Sequence, residues 1–125
     1  MLNIAAICIG ACIGALSRWY LAIWLNTGGT LPWGTVAANL AGGFLIGLFI
    51  ALFNAMPHLD QAWRLAIITG FLGALTTFST FSAEIILMVQ DDRLALAVAT
   101  AVLHLAGSLL LTAAGLRVGR MLFAA

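Results

Sequence analysis

A chain of 125 residues is one domain's worth of polypeptide. With 64% hydrophobic and 7% charged residues and a mean hydropathy of +1.16, it lacks the charged surface of roughly a quarter of residues that a soluble globule needs, so it reads as an integral membrane protein. A net charge of +1 with no basic cluster excludes a nucleic-acid footprint.

Crossing a hydrocarbon core of roughly 30 Å takes about 20 apolar residues as a helix. Four such spans are predicted, at about 4–25, 34–55, 63–89 and 94–122, forming one all-α membrane domain over residues 1–125. Met1-Leu-Asn carries no basic side chain and the first apolar run reaches Arg18 at spanning length, so the first span is expected to be retained rather than cleaved as a signal. It places Gly10, Gly14 and Arg18 on one stripe, which should face protein. Arg18 lies roughly 10 Å inside the helix end. An arginine there costs about 2.5 to 3.5 kcal/mol unless it snorkels or meets water. Two readings stay open for it, a snorkelling residue or the anion-attracting wall of a vestibule. Cys8 and Cys12 are i, i+4 neighbours, better read as small packing residues than as a metal pair. Trp19, Tyr20 and Trp24 form an interfacial belt.

The connector Asn26–Trp33 contains Gly28, Gly29 and Pro32, which stop the helix. In the second span Asn39, Gly43 and Gly47 share one face; the asparagine either bonds a neighbouring helix or contacts an ion. His58 and Asp60, in the next loop, read as solvated residues.

The third span holds the unusual stretch, Gly70-Phe-Leu-Gly-Ala-Leu-Thr-Thr-Phe-Ser-Thr-Phe-Ser82. The hydroxyls of Thr76, Thr77, Ser79, Thr80 and Ser82 surround Phe78 and Phe81, which are spaced i, i+3. Unpaired polar groups cost a few kcal/mol in hydrocarbon, and irregular backbone survives at that depth only when buried in protein or lining a cavity. The stretch is therefore predicted to break the helix, and the break to be the functional site. Glu84 follows within a turn or two of the interface, either as a gating or proton-binding group or as a hydrated one. The fourth span carries a polar lane of His104, Ser108 and Thr112 above Gly115 and Gly119. His104 reads as a hydrogen-bonded packing residue; the two hydroxyls, facing a matching row on the third span, read as a shared pathway.

Arg64, Arg117 and Arg120 fall on one side of the membrane, while Arg93 and Arg18 belong to the other, so the positive-inside rule hardly selects an orientation. Insertion both ways is expected, which permits an antiparallel, dual-topology homodimer. The buried polar inventory is an amide and hydroxyls, with an arginine near one mouth and no carboxylate cluster. That set of donors, with the positive edges of two phenyl rings, suits a small anion better than a cation. No nucleophile with a base and orienter is visible, so the chain is not expected to be an enzyme.

Three blocks then resemble the Fluc family of fluoride channels, also called the CrcB family: Gly10-Ala-Cys-Ile-Gly-Ala-Leu-Ser-Arg18, Gly34-Thr-Val-Ala-Ala-Asn39 through Gly42 and Gly47, and Gly70-x-x-Gly73-x-x-Thr-Thr-Phe-Ser-Thr-Phe81. The last is the specific one. The resemblance implies a dual-topology dimer of four-helix protomers with two antiparallel pores, passive export of fluoride across the plasma (inner) membrane, and a structural sodium ion at the dimer centre. It implies that Phe78 and Phe81 line each pore with Asn39, that Ser79, Thr80, Ser108 and Thr112 form a polar track, and that Arg18 and Glu84 serve the vestibule. The sodium ion would be held by backbone carbonyls at Gly73 and Thr76. Ala11 and Ala74 stand where family members often have glycine, and Trp19 where tyrosine is common; none is a proposed ion ligand. A small proton-coupled multidrug exporter of four-helix, dual-topology type fits the length equally well, but the first span lacks the acid such exchange needs. A non-transporting assembly subunit would leave the hydroxyl run unexplained.

Overall fold

The computed structural model describes residues 1–123, and all regular structure among them is helical. Four spans are long and apolar enough to cross a membrane. The first is α1 (Leu2–Leu25) and the second α2 (Trp33–Ala55). The third, Gln61–Gln90, is composite: α3 (Gln61–Arg64), a π-helical stretch (Leu65–Leu72), a last turn α4 (Gly73–Leu75), and then α5 (Phe78–Gln90). The fourth is α6 (Leu94–Phe123).

Between α4 and α5 the chain leaves helical geometry, as expected. Thr76 (φ −81°, ψ 152°) and Thr77 (φ −150°, ψ 118°) are extended, so the third span is two half-helices joined by a two-residue hinge. The span also starts slightly earlier than the hydropathy pattern predicts. Asp60, read from sequence as a solvated loop residue, caps it by accepting from the Ala62 amide at 2.7 Å. At the far end Asp92 takes a left-handed conformation (φ 59°) and the Arg93 amide donates back to the Met88 carbonyl at 2.9 Å, which closes α5 against its own last turn.

Glycine decides how the spans pack. A Cβ at Gly10 would overlap the Ala66 carbonyl oxygen, and one at Gly14 the Phe71 carbonyl oxygen, so α1 lies backbone-to-backbone against the π-helical stretch. The same holds between α2 and α6, where a Cβ at Gly47 would overlap the Thr112 carbonyl and one at Gly115 the Phe44 carbonyl. Lipid gives no hydrophobic drive between helices, so close van der Waals approach at small residues must hold them together. These two glycine seams clamp the broken span between α1 on one side and the α2–α6 pair on the other.

Gly47→Val and Gly115→Val are expected to destabilise the protein by about 1–3 kcal/mol or more each, through overpacking against immovable backbone. Gly29→Ala, with nothing within 4 Å of the added methyl, is expected to leave stability unchanged. Thermal unfolding of the detergent-solubilised variants checks both.

Candidate functional site

The site is built on the hinge. In an unbroken helix the Thr77 amide would donate to the Gly73 carbonyl. Here it donates to Asn39 Oδ1 at 2.7 Å, while Asn39 Nδ2 donates to the Thr77 carbonyl at 3.0 Å. The Asn39 carboxamide therefore replaces the lost helical bond of the Thr77 amide and adds a partner to the Thr77 carbonyl, which as the N-cap carbonyl of α5 also opens the ladder of that half-helix. The second Nδ2 proton goes to His104 Nδ1 on α6, at 3.0 Å. Of the two sequence readings of Asn39, bonding to a neighbouring helix is the one its geometry supports, and it bonds two of them.

The hinge also turns the helix dipole to use. α4 ends and α5 begins at mid-span, so the partial negative charge of the first half-helix and the partial positive charge of the second meet there. The N-terminus of α5 is closed by Thr77 Oγ1, which accepts from the Thr80 amide at 3.2 Å and donates to Thr80 Oγ1 at 3.0 Å. It also lies 3.3 Å from Ser79 Oγ. Thr77, Ser79 and Thr80 thus form one hydroxyl cluster over the start of α5.

A cavity of about 430 Å³ opens beside the hinge. Asn39, Phe78, Phe81, His104 and Ser108 line it, together with Gly73 of α4 and the hinge residues Thr76 and Thr77. The Phe78 and Phe81 rings lie 5.4 Å apart and tilted at 57°, but they differ in exposure: Phe81 is 7% exposed and Phe78 72%. Phe81 in turn packs on the His104 ring with centroids 4.7 Å apart.

The remaining sequence-predicted residues are less central to this cavity. Ser79 and Thr80 sit in the hydroxyl cluster, while Thr112 donates its hydroxyl to the Ser108 carbonyl at 2.8 Å, the backward helix bond open to any membrane threonine. Thr76 and Ser82 spend theirs the same way, on Leu72 and Phe78 carbonyls at 2.8 Å each. Ser108 lines the cavity. Glu84 lies one helical turn beyond Phe81 and accepts from Thr35 Oγ1 at 2.6 Å. It lines a second cavity, of about 310 Å³, beneath the Asn26–Pro32 connector. Arg18 is half-buried, with its Nε enclosed and unpartnered. Among the described residues no group of three or more His, Cys, Asp or Glu could hold a metal.

Two participants escaped the sequence reading. Thr77 acts through its peptide and as the cap of α5, a role signalled only by a threonine directly before a helical run. Thr35, one turn before Asn39 on α2, holds Glu84, and nothing in its sequence context marks it.

Residues 5–116 match the model of the family described as CrcB-like protein, Camphor Resistance (CrcB). The chain is 60% identical over 124 residues to a protein of Albidiferax ferrireducens named fluoride-specific ion channel FluC, covering 99% of this chain and 95% of that one. It is 58% identical over 117 residues to proteins of the same name from Paracidovorax citrulli, covering 94% and 93% of the two chains, and Variovorax paradoxus, covering 94% of each.

Asn39→Ala strands the Thr77 amide in a buried hinge, and such an orphaned group costs about 1–3 kcal/mol. A markedly lowered melting temperature and faster hydrogen exchange at the Thr77 and Phe78 amides are expected, read by mass spectrometry in detergent.

Proposed function

The chain belongs to the CrcB family, and we propose that it is a fluoride-selective passive channel that lets fluoride leave the cytoplasm across the plasma membrane, in which it is a multi-pass protein. It is a channel, not an enzyme. The observation that carries this is a broken helix at membrane depth whose hinge is satisfied by Asn39 and whose cavity is walled by Phe81, Phe78 and Ser108. A small, strongly hydrated anion gives up water only for donors and positive dipoles. The half-helix N-terminus of α5, the hydroxyls and the phenyl edges supply these without a fixed positive charge that would trap the ion.

We further propose that the working unit is an antiparallel homodimer of oppositely inserted copies, with two pores. Phe78, largely exposed on the single chain, would then complete a pore wall with Phe81, and Asn39, Ser79, Thr80, Ser108 and Thr112 would lie along it. Arg18 and Glu84 would serve the aqueous approaches. A structural sodium ion at the dimer centre fits the hinge. The Gly73 carbonyl is released from its helical partner because the Thr77 amide is taken by Asn39, and it sits with Thr76 at the negative end of α4. Carbonyls of Gly73 and Thr76 from the two copies are hard oxygen donors of the kind a small cation takes. Bound there, the ion would neutralise converging carbonyl dipoles and so support the dimer. Against proton-coupled drug exchange, Glu84 stands apart from the cavity at the hinge, whose lining carries no carboxylate.

Liposomes loaded with fluoride and followed by a fluoride electrode test the function: efflux should far exceed that of chloride, and Phe81→Ile should slow it about tenfold or more. Equal rates for the two halides, or an unaffected Phe81→Ile, would reject it. For the dimer, Asn54→Cys in a background with Cys8 and Cys12 replaced by serine should react with an impermeant thiol reagent to about half its amount from each side of the membrane; labelling from one side alone refutes dual topology.

A further inference from the structure

The two ends of the bundle carry different charge. α2 and α6 run in the same direction, with Gly119 against Ala51, so Arg117 and Arg120 lie at the end where α2 stops and α3 begins, which is also the end of Arg64. Three arginines there stand against one acid, Asp60, for a net +2; the other end sets Arg18 and Arg93 against Glu84, Asp91 and Asp92, for a net −1. Arg64, Arg117 and Arg120 are all exposed.

At the positive end a groove of about 450 Å³ opens between the last turn of α2 and the first turn of the third span. Its lining is divided by chemistry. Phe53, Met56 and Leu59 supply apolar surface, while Asn54 and Gln61 supply carboxamides and Arg64 a guanidinium. Among the described residues no carboxylate lines it, and Asp60 spends its Oδ1 on the Ala62 amide. An oxygen anion can take the guanidinium fork and the amide protons together, whereas an ammonium would find no charge to pair with.

Place decides which anion. The groove lies where two membrane spans end, at the boundary between hydrocarbon and headgroups, and Trp63, 62% exposed next to Arg64, is the amphipathic ring that favours that depth. Apolar walls beside a cation match a molecule that joins acyl chains to a phosphate. We propose that the groove between α2 and α3 binds the headgroup of an anionic phospholipid, its phosphodiester on Arg64 with Asn54 and Gln61 donating, and its glycerol and first methylenes on Phe53, Met56 and Leu59. Arg117 and Arg120 raise the local potential without lining the groove. A lipid seated there bridges the end of α2 and the start of the third span, the two elements that Asn39 joins at the hinge.

Native mass spectrometry of the detergent-solubilised protein, titrated with phosphatidylglycerol, phosphatidylcholine or free glycerol phosphate, tests this. Phosphatidylglycerol should bind about tenfold or more tighter than phosphatidylcholine, whose ammonium cancels the charge offered to Arg64, and glycerol phosphate at equal concentration should not displace it, because it leaves the apolar walls uncovered. Arg64→Gln should weaken phosphatidylglycerol about tenfold, the loss expected for one charge-assisted hydrogen bond, and Arg64→Lys about threefold, keeping the charge without the fork. Asn54→Ala, which alters no charge, should also weaken it about threefold. Arg120→Gln removes a screened charge outside the groove and should cost less than about threefold. Arg64 is exposed, so its variants should melt like the unmodified protein when lipid is absent. Phosphatidylglycerol binding to Arg64→Gln within about twofold of the original, or equal losses from Arg64→Gln and Arg120→Gln, would mean a diffuse charged surface and overturns the site. Equal affinity for the two lipids, or displacement by glycerol phosphate, overturns the lipid assignment.

Discussion

The structure depends on one contact, the Asn39 carboxamide on the Thr77 peptide. A membrane span can be interrupted only if something other than water takes up the backbone groups the interruption releases. Asn39 does this from a neighbouring helix, with its oxygen on the Thr77 N–H and its nitrogen on the Thr77 carbonyl. The planarity and bifunctionality of the amide are what make it suitable. Aspartate lacks the donor, serine lacks the reach, and leucine would leave the Thr77 amide bare. Once Thr77 is satisfied, the flanking half-helices can present opposite dipole ends to the same region, which no continuous helix can do.

That contact requires α2 to stand at a fixed distance and rotation relative to the third span, and the glycines provide this. Gly10 and Gly14 let α1 lie directly on the backbone of the π-helical stretch, while Gly43, Gly47, Gly115 and Gly119 let α2 and α6 meet at comparable range. The α2–α6 seam sets Asn39 and His104 within hydrogen-bonding distance, and the α1 seam holds the first half of the broken span. Rigidity in the seams and polarity at the hinge are one design: a loose bundle would let Asn39 drift and leave the hinge to unfold or rewind.

Hydroxyls in a membrane sequence are ambiguous because a serine or threonine can always bond back to its own helix. Here they divide. Thr76, Ser82 and Thr112 use that local option, Thr77, Ser79 and Thr80 cap the second half-helix as a group, and Ser108 faces the cavity. A stretch that reads as one polar run is thus three kinds of site, separated by whether an unpaired carbonyl lies within reach.

Composition and hydropathy determined the membrane, the four spans and their ends to within a few residues, because crossing hydrocarbon imposes a length and a lack of charge that no other environment demands. The interruption was also legible, since seven residues from Thr76 to Ser82 with five hydroxyls have no place in a lipid-facing helix. The three sequence blocks carried the family. What linear pattern could not specify was which partner satisfies the hinge: Asn39 and Thr77 are separated by 38 residues and Asn39 and His104 by 65, so their bonds exist only after α2, the third span and α6 have packed. The same holds for the π-helical turns and for Thr35 on Glu84. These are matters of distance and direction between helices, and a one-dimensional periodicity gives the face a residue occupies without giving what stands opposite it.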